Sequence, residues 1–235
     1  MTTLAPTAAT GRRTVPGRGN VRASGLFYLL TFAASIPALI LIGPAINDAD
    51  YITGSGHDNR VLFGSFLDFV NALAGVGSAV AIYPVIKRLN QSLALGFVLT
   101  RMVEAAVIMT GVVSLLAVVT LRQDFAGTDA EGLGVVGSAL VAVRDWTFLF
   151  GPGFMASFNA LMFATVLYRS GWVPRWIPRL GLIGAPILFT VSTLAIFDVL
   201  EQVSGPALVA TLPIATWEFS IGVYMVVKGF RDQNA

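Results

Sequence analysis

LALGFVLTRMVEAAVIMTGVVSLLAVVTL, residues 93–121, carries no charged side chain except Arg101 and Glu104. A helix needs about 20 apolar residues to cross a hydrocarbon core about 30 Å thick, and this run is longer. Within lipid every backbone N–H and C=O must find a protein partner, so only helices and closed barrels span it. The run lacks the apolar–polar alternation of a barrel strand, so it reads as a transmembrane helix. Working outward, Gly25–Ile46, Val61–Ile86, Trp146–Tyr168, Leu180–Leu200 and Pro206–Val227 read the same way. The chain is therefore expected to be an all-α polytopic integral membrane protein, a six-transmembrane-helix bundle over residues 23–231. Composition agrees: 55% of residues are hydrophobic and 12% charged, about half the charge of an ordinary soluble domain.

Basic residues orient the bundle. With the N-terminus in the cytoplasm, the inner segments hold Arg12, Arg13, Arg18 and Arg22, then Lys87 and Arg88, then Arg169, Arg175 and Arg179, then Lys228 and Arg231. The outer loops are mainly acidic, with Arg60, Arg122 and Arg144. The positive-inside rule then places both termini in the cytoplasm of a multi-pass protein of the inner (plasma) membrane. The net charge of +2 reflects that orientation and gives no reason to expect a nucleic-acid partner. Residues 1–22, rich in Thr, Ala, Gly and Arg, read as a disordered cytoplasmic tail. The run after them is too long for a signal-peptide core and is expected to be retained. Residues 132–143 are apolar but too short to cross, and read as a re-entrant or interfacial element over the outer face; an extension of the fourth span is the alternative. In the turn before the fifth span, Trp172, Arg175, Trp176 and Arg179 have the composition of an interface anchor to lipid headgroups. Pro84, Pro152, Pro186 and Pro213 suggest kinks or broken helices.

Several short motifs occur together in order: Ser24-GLFYLL-Thr31 opening the first span, Arg101-MV-Glu104 in the third, Pro174-RW-Ile177 before the fifth, and Glu218 ahead of Lys228-G-Phe230 at the end of the sixth. In these the chain resembles the bacterial six-span family catalogued as domain of unknown function 4386, over most of Val21–Arg231. The resemblance implies the six-span fold and its topology and brings no biochemical role with it.

The charges inside the spans are the clue to activity, because a charge near the bilayer centre costs at least a few kcal/mol. At 1.5 Å per residue Arg101 lies about 12 Å and Glu104 about 17 Å from the inner edge of their span, Glu218 about 18 Å and Asp68 about 11 Å from the outer side. Arg101 and Glu104 share a helical face, as do Asp68 and Asn71. Asn159 and Ser157 on the fourth span extend the polar set. Three acids against one arginine leave a negative excess, which a proton on one carboxyl or a bound cation would offset. Two readings follow: a cavity of Asp68, Asn71, Arg101, Glu104, Asn159 and Glu218 serving a small solute, proton or cation, or a polar lock that holds helices in register. The first makes the chain a carrier or permeation protein, the second a non-catalytic scaffold or partner-binding subunit. An intramembrane enzyme is the weakest reading, since no nucleophile–base–metal set is apparent. The chain has no cysteine and a single histidine, His57, which excludes thiol catalysis and multi-histidine metal or haem sites. Gly54-Ser-Gly56 lacks the strand-to-helix setting of a serine nucleophile, and no nucleotide-binding motif is present, so no cofactor is expected.

Overall fold

Each long apolar run becomes a helix, and local chemistry sets where each ends. In the computed structural model, which describes residues 17–48, 51–54, 58–125 and 130–231, these are α1 (Arg18–Asn47), α2 (Asp58–Ile86), α3 (Gln91–Asp124), α4 (Ala130–Phe148), a π-helical segment (Leu149–Met155), α5 (Ala156–Ser170), α6 (Trp176–Ile196) and α7 (Gly205–Val227). The Asn90 side chain accepts the Leu93 N–H at 2.9 Å and starts α3, a cap worth about 1 kcal/mol. Gly171, at φ 66°, ends α5 by turning left-handed, a conformation glycine adopts without a Cβ penalty. The fifth span was expected to reach Leu200, but α6 stops at Ile196, and Asp198 takes a positive φ of 56°. No strand occurs among the described residues.

Two expected boundaries need correction. The first helix begins at Arg18, so residues 18–22, assigned to the tail, are helical; residues 1–16 lie outside the described residues. The reason is packing: Val21 is buried, and Asn20 Nδ2 donates to the Ala81 carbonyl of α2 at 3.0 Å. Residues 132–143 form no separate element. They belong to α4, which runs through the π segment into α5, so Glu131–Ser170 is one apolar helix of 40 residues, about 60 Å long. Its glycines do not break it because α4 lies along α3, where Ser114 Oγ donates to the Leu140 carbonyl at 2.5 Å and Leu133, Leu140 and Val141 pack on a shared core. The alternative, an extended fourth span, is the arrangement present. Of the internal prolines, Pro37, Pro44, Pro84, Pro186 and Pro213 sit in unbroken α-helix, and only Pro152 lies in a π segment.

The helices form a ring in chain order. α1 packs on α2, α2 on α3, α3 on the α4–π–α5 rod, α5 on α6, α6 on α7, and α7 returns to α1. The six apolar rods are each long enough to cross a bilayer, so the molecule is a six-span membrane-helix bundle. One hydrophobic cluster, with Tyr28, Phe97, Phe163 and Trp217, fills the end of the ring that carries Lys87, Arg88, Arg169 and Lys228, called here the basic end. A second, with Ile42, Tyr51, Val61 and Leu115, draws only on α1–α4 and the loop after α1 at the opposite end. Space remains between the two clusters.

Candidate functional site

α3 presents Arg101, Glu104 and Ile108 to the ring's centre on one face, three and four residues apart. Arg101 Nη1 donates to Glu104 Oε2 at 3.0 Å, and Nη2 donates to Glu218 Oε1 of α7 at 3.0 Å. Asn159 Nδ2 of α5 donates to the same Glu104 oxygen at 2.5 Å. Arg101 and Glu104 are 5% and 7% exposed, depths at which an unpaired ion would be costly. The guanidinium also lies over the rings of Tyr28 and Phe97, at 5.1 and 5.9 Å from their centroids. These rings belong to a buried aromatic plug: Phe97 stacks on Phe163 at 4.9 Å, and Phe163 meets Trp217 edge-on at 6.0 Å. The plug closes the basic end beneath Arg101.

A second ion pair stands across the space. Arg144 Nη2 of α4 lies 3.5 Å from Asp68 Oδ2 of α2, both residues are buried, and the guanidinium covers the Phe148 ring at 4.9 Å. Between the two pairs is a cavity of about 320 Å³ lined by residues of all seven helices and the π segment. Asp68, Asn71, Arg101, Glu104 and Glu218 line it directly, and Asn159 reaches it through Glu104. Ser157 does not join them; its hydroxyl donates to the Gly153 carbonyl of its own helix. Three carboxylates and two guanidiniums line the cavity, so the fully ionised site carries one net negative charge.

Arg144 was missed as a site residue because it had been assigned to an outer loop. Its signal lay in a stripe: Arg144, Thr147, Phe148, Pro152 and Ala156 all line the cavity at near-helical spacing once the rod is taken as continuous. Arg175, Trp176 and Arg179 are exposed at the basic end, whereas Trp172 is half-buried against Phe230 at 5.2 Å and its carbonyl accepts from the Arg231 N–H. His57 lies outside the described residues. A family model described as Domain of unknown function (DUF4386) matches residues 23–229. The chain belongs to this family. No curated protein and no solved structure matches it. The DUF4386 match spans every helix that lines the cavity, and no group of three or more His, Cys, Asp or Glu able to hold a metal occurs among its described residues.

Proposed function

We propose that this DUF4386 protein is a small membrane carrier for a small solute or ion, with a proton linked to movement through Glu104 or Glu218. The observation that carries the reading is the cavity, which has Arg101, Glu104 and Glu218 in its lining over the aromatic plug that closes the basic end. A site accessible from one side and closed on the other is what alternating access requires of one state. A purely structural ion pair would be packed dry instead. In this reading both termini are cytoplasmic, the basic end faces the inner leaflet, Arg175, Trp176 and Arg179 contact its headgroups, and the cavity opens outward. The scaffold reading keeps one supporting observation, the Arg101 bridge between α3 and α7.

Ala215 lines the cavity and carries no charge, so Ala215→Cys tests the carrier reading. A small membrane-impermeant thiosulfonate is expected to label it from one face only. Failure to label from either face would overturn the carrier reading in favour of the scaffold.

A further inference from the structure

The rim of the cavity says how it is reached. α1 and α7 meet closely near the basic end, where a Cβ on Gly25 would lie 2.8 Å from the Gly222 carbonyl oxygen and Phe32 meets Phe219 edge-on at 5.7 Å. Past that contact Ile36 and Leu39 of α1 and Thr211 and Ala215 of α7 line the cavity from either side. Yet Ile36 and Leu39 are also 57% and 43% exposed. Residues that both line a cavity and face outward form its lip. They stand about 16 and 21 Å along α1 from Gly25, where the apolar run begins, which is hydrocarbon depth rather than headgroup depth. The second core cluster includes neither α6 nor α7, so nothing in it draws these helices shut on α1 at the opposite end. Beside the outward opening of the carrier reading, the cavity therefore has a sideways one, through the seam between the first and last helices.

The floor selects charge. Each of the three carboxylates engages a guanidinium through one oxygen: Glu104 and Glu218 share Arg101, and Asp68 faces Arg144. Asn159 Oδ1, on a residue 1% exposed beside Glu104, lacks a donor, and Arg101 Nε lacks an acceptor. Three carboxylates face two guanidiniums, so one positive charge is missing. Phe32 adds an aromatic ring to the lining, and aromatic faces attract cations. A volume of about 320 Å³ sits at the small end of organic-ligand pockets.

Resting on the carrier reading above, we infer that the substrate class is a monovalent amphiphilic cation, an amine or quaternary ammonium head with a short hydrocarbon chain. It enters from the bilayer between α1 and α7 and exchanges for one proton. The chain lies in the apolar seam and the head lies among Asp68, Glu104 and Glu218. The site is neutral with either the proton or the cation bound, so the exchange leaves no buried net charge in either state.

The test titrates octyltrimethylammonium, tetramethylammonium and octyl sulfate against the wild-type protein in lipid nanodiscs, with protein-free nanodiscs subtracted. Octyltrimethylammonium is expected to bind at least about tenfold more tightly than tetramethylammonium. Its binding should weaken as the pH is lowered, because a proton competes for the same charge, and octyl sulfate should not displace it. Glu218→Gln should abolish binding, with Asp68→Asn as the second variant should Glu218→Gln not fold. Equal affinity for the two cations would overturn access from the bilayer, and binding of octyl sulfate would overturn the cation class. Absence of binding by every probe, with Ala215→Cys still labelled from one face, would overturn this inference and leave the carrier reading standing. An unlabelled Ala215→Cys would remove the carrier reading itself.

Discussion

Arg101 holds two carboxylates from different helices, so its neighbours are not equivalent under mutation. Arg101→Met leaves buried Glu104 and half-buried Glu218 without a counter-charge and should cost about 3–5 kcal/mol. Glu104→Gln should cost less, because Glu218 still neutralises the guanidinium and the amide keeps a hydrogen-bonding acceptor beside Asn159. The double variant Arg101→Met with Glu104→Gln should recover only part of the loss, because Glu218 is still left without its cation. Thermal unfolding in nanodiscs reads all three, and a Glu104→Gln protein less stable than Arg101→Met would show that Glu218 does not share the charge. The pairing of Arg101 with Glu104 was legible because three-residue spacing on a helix fixes a common face. Glu218 was legible from its depth alone. Arg144 was not, because a charge in a glycine-rich stretch looks the same in a loop as in a helix until the packing partner is known.

Helix–helix contacts in this bundle depend on missing side chains, as expected where lipid gives no hydrophobic drive to associate. A Cβ on Gly184 of α6 would fall 2.7 Å from the Ile214 nitrogen of α7, against backbone that cannot swing aside. Gly184→Ala should therefore force α6 and α7 apart and destabilise by about 1–3 kcal/mol. Gly134 of α4 has nothing within 4 Å of its added Cβ, so Gly134→Ala should be neutral or stabilising by up to about 1 kcal/mol. Both are measured by the same unfolding assay, and equal effects would sink the argument from close approach. The existence and type of the six spans were legible from run length, since lipid leaves so few structures open. The fate of residues 130–148 was not. Run length alone read the apolar stretch as too short to cross, whereas its packing along α3 and the π segment around Pro152 join it to the fourth span.

Both chain ends of the bundle lie at the basic end, and the orientation proposed above makes that end cytoplasmic. Ser92 at the start of α3 and Glu201 between α6 and α7 are exposed at opposite ends of the ring. In intact cells an impermeant maleimide should label Glu201→Cys, and should label Ser92→Cys only after permeabilisation; no native thiol interferes. The reverse pattern would invert the topology. At this scale the order of helices around the ring was not readable from the chain, because apolar runs state that a helix crosses and not which neighbour it touches.

The Arg101–Glu218 bridge spans 117 positions, and this separation bears on how the protein is made. A ribosome adding about 5–20 residues per second would add Arg101 to the chain about 6–23 s before Glu218 exists. Through that interval Glu104 is the acidic partner that α3 itself supplies for the arginine, so the local pair serves insertion while the distant one serves the finished ring. Glu104→Gln should then lower the fraction of newly made chains that reach the membrane, even though the assembled protein tolerates it. Glu218→Gln should leave that fraction unchanged. Biogenesis and final stability thus rest on different carboxylates of the same arginine, and a pulse-chase count of membrane-integrated chains separates the two.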